Sequence, residues 1–407
     1  MDEKNFIKEK IVGQKVSWKK RTVKALSLLF SGGVFGLGIF LVLFFLVPHL
    51  PVKKEGKEKE TVAFTEEAST EAESSTEETE AIEDVVQSEI QKFDFPISAY
   101  ESMMGNLKSI IQEGEKSLVD VEVSTGGEDL LTEGKTRGNG IILEKTADNL
   151  LILYLGTGKG EEAYRIRFFR EKEVEGRLLS SSKRDGVMIL SVPLSAFTEK
   201  DMERLSVMPR GNSRLIQRGE TLIGIGSPSG ELYSTEITYA SYLSYDVPAV
   251  DGFREDIAVQ GPKEGEGNVF YLNTAGEFVG FCSGKQGGFP HMTGISDCLD
   301  MLEHLSNGKT LAYLGLKIQN TSKSMIELGI PEGVFISEVE EGSPAYAAGV
   351  QAGDVIKKAN GEELTGVKDL QAALLKESPG NPFQISLLRN NGNQYVEMEF
   401  SCPLGTR

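Results

Sequence analysis

A mainly β chain, with one membrane-spanning helix ahead of it and a smaller α+β domain behind it, is the fold class this sequence predicts. Three observations carry the expectation. An uncharged apolar run lies near the N-terminus, an acidic stretch nearly without large apolar residues follows it, and short β-like runs then recur at close spacing. The 407 residues suffice for two or more domains, and 45 glycines with 39% hydrophobic residues fit turn-rich globular structure. A net charge of −18 argues against nucleic acid as a partner, because phosphate binding needs a basic face.

Residues 1–24 read as a basic cytoplasmic segment. From Ala25 to Val47 there is no charge, and these 23 residues would span roughly 34 Å as a helix, enough to cross a bilayer. No small-x-small cleavage site follows; Pro48, His49 and Leu50 do. Lys15, Lys19, Lys20, Arg21 and Lys24 precede the run, whereas Lys53, Lys54, Lys57 and Lys59 after it are diluted by Glu55, Glu58 and Glu60. The bias predicts a single-pass protein of the cell membrane, with the bilayer as partner of residues 25–47, the N-terminus cytoplasmic and everything after residue 48 outside. Residues 48–95 are rich in Glu, Ser, Thr and Lys and are expected to be a disordered, self-repelling tether.

A first folded domain is expected over 96–310. Ser98 is a plausible helix N-cap, and Tyr100, Met103, Met104, Leu107, Ile110 and Ile111 recur at helical spacing until Gly114. Strands are expected at Leu118–Val123, Gly140–Leu143, Leu150–Leu155, Tyr164–Phe169, Val187–Val192, Thr221–Ile225, Glu236–Leu243, Ile257–Val259, Val269–Leu272 and Phe278–Cys282. That density suits a sandwich or a barrel, and the order alone does not choose between them. A helix over Ile295–Leu305 closes the domain. A second domain, 311–407, has strand runs Leu316–Gln319, Val334–Val339, Val355–Ala359, Phe383–Arg389 and Gln394–Phe400, and helical runs Ser324–Leu328 and Val367–Leu375. Cys282, Cys298 and Cys402 make no disulfide framework and read as idle thiols. No CxxC or Cys/His cluster suggests zinc, and neither metal nor cofactor is expected.

Several motifs resemble those of HtrA/DegP-family trypsin-like proteases. Gly138-Asn139-Gly140-Ile141-Ile142 is similar to that family's G-S-G-V-I strand. The stretch Arg218-Gly219-Glu220-Thr221-Leu222-Ile223-Gly224-Ile225-Gly226-Ser227-Pro228-Ser229-Gly230 is similar to V-G-D-x-V-x-A-I-G-N-P-x-G, and Asn273, Gly276, Glu277 and Gly280 stand where the family has its N-x-x-G-E turn. The resemblance implies a chymotrypsin-like double β-barrel. It also places the catalytic positions: the base nearest Leu155, the orienting aspartate at Asp185 and the nucleophile at Gly267. Leucine accepts no proton and glycine has no side-chain oxygen, so no acyl-enzyme forms at position 267. Glu266 would oppose the negative charge of acyl transfer beside it. Ser213, in Gly211-Asn212-Ser213-Arg214, lacks the following glycines and is rejected as a nucleophile. The expectation is therefore a protein that is no enzyme, a pseudoprotease of the trypsin-like class. An active endopeptidase using displaced residues, Ser283 first among them, is the rival, and a binding protein that uses its barrel is another.

The second domain resembles a PDZ domain. Tyr313-Leu314-Gly315-Leu316 is similar to the carboxylate-binding loop, and Gly342-Ser343-Pro344-Ala345 and Gly349-Val350-Gln351-Ala352-Gly353-Asp354 follow at the expected distances. The resemblance implies that the backbone N–H groups of Leu314, Gly315 and Leu316 hold a peptide's C-terminal carboxylate. The peptide then adds as a strand along Leu316, Lys317 and Ile318, with Val367 and Leu370 on the facing helix. Partners implied are protein C-termini, further copies in a homotrimer, or an active protease that this protein would scaffold or regulate in envelope protein quality control or signalling.

Overall fold

The structure, a computed structural model, describes residues 97–125, 134–158, 162–260, 267–283, 291–392 and 394–407. The basic segment, the expected spanning run 25–47 and the tether 48–95 lie outside these residues. Among the described residues no helix is long and apolar enough to cross a membrane.

Helix α1 (Ile97–Glu115) leads in, packing Leu107, Ile110 and Ile111 on the core. Six strands follow, β1 (Leu118–Thr125), β2 (Gly134–Lys145), β3 (Asn149–Leu155), β4 (Ala163–Phe168), β5 (Lys172–Ser182) and β6 (Val187–Pro193). They close as an antiparallel barrel in the order β1-β2-β3-β6-β5-β4. After α2 (Glu199–Arg204), capped by Thr198, a second six close in the order β10-β11-β12-β9-β8-β7. These are β7 (Thr221–Gly226), β8 (Ser234–Ala249), β9 (Gly252–Val259), β10 (Asn268–Leu272), β11 (Phe278–Ser283) and β12 (His291–Gly294). Helix α3 (Leu299–Ser306) seals the pair.

The run Leu150–Leu155 is apolar at every position because both of its faces are covered. Leu150, Ile152 and Tyr154 point into the first barrel, whereas Leu151, Leu153 and Leu155 join Ile223, Ile225, Phe270 and Phe281 in a core shared by both barrels. The second barrel is filled separately by Leu222, Ile257, Val269, Tyr271 and Met292. A closed barrel, not a sandwich, is thus the outcome. β5 and β12 were not among the expected strands. β5 buries only part of one face, and β12 is four residues long. α3 begins at Leu299 instead of Ile295, whose side chain is buried in the preceding turn.

The second domain opens with β13 (Ala312–Tyr313). It continues through β14 (Leu316–Asn320), α4 (Lys323–Glu327), β15 (Val334–Val339), α5 (Pro344–Ala348), β16 (Val355–Ala359) and β17 (Glu362–Glu363). Then come α6 (Val367–Leu375), β18 (Pro382–Asn390), β19 (Tyr395–Pro403) and β20 (Gly405–Thr406). The main sheet runs β14-β15-β16-β18-β19, with β17 beside β16, while β13 pairs β20. Asp354, buried, accepts Arg389 Nε and Nη2 at 2.8 and 2.7 Å and Gln351 N at 2.9 Å, tying the α5–β16 loop to β18. The three cysteines are buried and outside any disulfide, and burial pushes the Cys282 and Cys402 thiols up to about 11.

Candidate functional site

Two places hold the residues singled out by sequence, and the structure links them. The first is the seam between the barrels. Leu155 ends β3, and its carbonyl accepts Asn268 Nδ2 at 2.9 Å; the same amide reaches the Asn139 carbonyl at 3.2 Å. Position 267 is therefore adjacent to Leu155 through Asn268. A Cβ on Gly267 would lie 2.1 Å from the Ser227 carbonyl oxygen, so the backbone passes too close for any side chain there. Ser227 N donates to Asn268 O at 2.8 Å, and Ser227 Oγ donates to Asn139 Oδ1 at 2.8 Å. Asn139 is fully buried, also accepts Tyr233 N at 3.0 Å and donates to Val119 O at 3.2 Å. One amide thus joins both barrels.

Asp185 lies in the turn before β6. It accepts Ser182 Oγ and, at 2.8 Å, Arg407 Nη2 from beyond the end of β20. Glu266 lies outside the described residues. Ser283 ends β11, paired with Asn268. Ser213 is buried, donating to Glu255 and accepting Ser296 N, a structural position. Of the histidines, His291 on β12 pairs with Asp256 at 2.9 Å and His304 lies in the last turn of α3; His49 lies outside the described residues.

The second place is the Tyr313–Leu316 loop. The N–H groups of Leu314, Gly315 and Leu316 all point at one carboxylate, at 2.8, 2.9 and 2.9 Å. Gly315 has φ +90°, and a Cβ there would lie 2.2 Å from Ser343 Cβ, so this cradle requires glycine. The carboxylate belongs to Asp251, at the tip of the β8–β9 hairpin of the second barrel. Asp251 N also donates to Leu316 O at 2.7 Å, and Val250 bridges antiparallel to Lys317. Burial pushes the Asp251 carboxyl above the usual aspartate range, while the three N–H groups and the Arg407 guanidinium pull it down.

Leu314, Leu316, Ile318, Val367 and Leu370 are all buried in the core of the second domain, and Phe253 of β9 packs against that core. The Lys317 ammonium reaches Glu338 at 3.5 Å. Tyr313 donates its hydroxyl to Glu340, which also pairs with Arg184, and the Arg184 guanidinium stands 5.3 Å from the Tyr313 ring centre. A cavity of about 740 Å³ opens beside this junction, lined by Asp185, Phe281, Asp297, Lys368 and Arg407 among others. Sequence reasoning missed Asp251. Its one signal was the Asp251-Gly252 pair, a hairpin-turn dipeptide between two strand runs.

The PDZ domain family matches residues 312–400. Two curated relatives are named probable periplasmic serine endoprotease DegP-like. The one from Hahella chejuensis is 27% identical over 66% of this chain and 57% of the relative, and the one from Pseudomonas savastanoi pv. phaseolicola is 27% identical over 66% and 56%. The protein thus spans little more than half the length of these relatives. Among solved structures, an HtrA-type protease AlgW with tripeptide has a TM-score of 0.51 at 17% identity, covering 73% of this chain and 96% of that one. That likeness concerns the fold. The expectation of a protein that is no enzyme is overturned by the relatives, which are named serine endoproteases. A missing oxygen at position 267 excludes that residue as the nucleophile and does not decide the chemistry of the whole molecule.

Proposed function

We propose, from the premise that this is an HtrA/DegP-type protein with a PDZ domain, that it is an extracytoplasmic, peptide-recognising member of this serine endoprotease class. Residues 25–47 would anchor it in the membrane, and its task would lie in envelope protein quality control or signalling. Residues 311–407 recognise the C-terminal ends of other proteins. One observation carries the reading: three consecutive N–H groups, at Leu314, Gly315 and Leu316, converge within 2.9 Å on a carboxylate. Charge-assisted bonds of this kind select a free carboxylate over an amide. The edge of β14 offers strand pairing to the residues before it.

The test is fluorescence anisotropy of a labelled peptide ending in a free carboxylate, titrated with the full-length protein, against the same peptide amidated. Preference for the free carboxylate is expected, and equal binding of the two would sink the reading. Hydrolysis is the activity of the relatives' names. Leu155 and Gly267 offer neither proton acceptor nor oxygen, so it would need a serine elsewhere. Ser283, across the ladder from Asn268, is the residue to substitute. Fluorophosphonate labelling and casein cleavage that both vanish in Ser283→Ala would assign it; labelling that survives would clear it of the role.

A further inference from the structure

We propose that the tip of the β8–β9 hairpin is an internal ligand of the PDZ groove, so that the C-terminus of a partner protein enters only by displacing Asp251. The inference rests on the C-terminus reading above and names how that site is controlled.

The hairpin already gives the groove a carboxylate and a strand-like main-chain pairing. Asp251 offers two carboxylate oxygens to the N–H groups of Leu314, Gly315 and Leu316. Its own N–H donates to Leu316 O at 2.7 Å, and Val250 before it pairs with Lys317 as an added antiparallel strand would. An internal residue has no α-carboxylate, and here the side chain replaces it. The exchange of roles needs an unusual backbone: Asp251 has φ +59°, in the left-handed region that aspartate tolerates. The main chain then turns back through Gly252, and the Phe253 side chain packs on the PDZ core. The internal ligand thus presents a carboxylate, a preceding Ala249-Val250 strand and an aromatic side chain. The competitor it fits is a free α-carboxylate on a large apolar terminal residue.

The cradle is reinforced next door. Arg184 of the first barrel pairs with Glu340, which also holds Tyr313 at the start of the cradle. The following residue, Asp185, binds Arg407. These contacts tie the first barrel to the second domain beside the cradle and involve no residue of the hairpin, so they hold the cradle in place whether or not Asp251 is docked. An internal ligand reduces the apparent affinity of an external one by the fraction of molecules that are open.

The test uses the full-length protein, purified in detergent, and a labelled peptide Asp-Val-Pro-Ala-Val-Phe, which copies residues 246–250 and adds a terminal phenylalanine with a free carboxylate. Asp251→Ala is expected to bind it about tenfold more tightly than wild type, or more, and Asp251→Asn, which keeps the shape but not the charge, to fall between. Hydrogen exchange gives an independent reading: the amides of residues 314–316 are expected to be protected in wild type and to exchange faster in Asp251→Ala. Equal affinity in wild type and both variants, or unchanged protection of these amides, overturns the proposal. Faster exchange without binding of the peptide by any variant would leave the internal docking standing and remove the C-terminus reading instead.

Discussion

Asn139→Ala should uncouple the two barrels at their seam. The amide makes three hydrogen bonds with its side chain: it accepts Ser227 Oγ and Tyr233 N and donates to Val119 O. Alanine removes all three in a site closed to water. The Ser227 hydroxyl can rotate to another acceptor, whereas Tyr233 N and Val119 O are held by the backbone. Stranding a buried polar group costs about 1–3 kcal/mol, and a carbonyl tolerates it better than an N–H. The loss should therefore be about 2–4 kcal/mol. Tyr233 is a bulky residue at φ +61°, a strained geometry that Asn139 and the Arg170 guanidinium, 4.3 Å from its ring centre, hold in place. Urea unfolding of the full-length protein, read by circular dichroism, reports the effect as a lower midpoint at unchanged slope. Combination with Ser227→Ala should be non-additive by about 0.5–1.5 kcal/mol. A loss below about 1 kcal/mol, or strict additivity, would refute the view that this amide joins the barrels.

Asp354→Ala should cost about 2–4 kcal/mol, because it leaves a partly buried Arg389 with only the Gly349 carbonyl as partner and Gln351 N without its acceptor; a urea midpoint equal to wild type would contradict this. Gly315→Ala should abolish binding of free-carboxylate peptides, since its Cβ would lie 2.2 Å from Ser343 Cβ at φ +90°, and titration by anisotropy reads the loss directly. Asp201 is held at about 2 by its hydrogen bonds from Lys172 and from the Thr198 backbone and hydroxyl. Its folded value lies below the ordinary aspartate value of about 3.9. The cap it makes on α2 thus contributes stability above that ordinary value and loses it as the pH falls through about 2. A carboxyl titration by NMR with its midpoint near 4 would show that the cap does not form.

Most strands were legible because each buries an alternating or continuous apolar set, a signal carried by neighbouring residues. Leu150–Leu155 shows both the reach and the limit of that signal. Its apolar run marks a strand, but that both faces are buried, and which meets the barrel interior and which the second barrel, is a matter of non-local packing. The same limit misled the reading of activity. Leu155 and Gly267 are empty of catalytic groups, and the step from two positions to a protein without catalysis went beyond what two positions decide. The cradle at 314–316 was expected through the resemblance of Tyr313-Leu314-Gly315-Leu316 to a PDZ carboxylate-binding loop. Its occupant was not: Asp251 lies 63 residues before Leu314, and nothing about an aspartate in a hairpin turn predicts which backbone it will meet.

By itself, then, the sequence determined the strand runs and the division into a β-rich domain and a smaller second one, because apolar period is a local property; the carboxylate loop came through its resemblance to a PDZ motif. Only the tertiary structure decided that Asn139 joins the barrels and that Asp251 fills the cradle. Those outcomes depend on backbone N–H and C=O groups meeting across long separations, and such groups are nearly identical from residue to residue and leave no mark in the sequence.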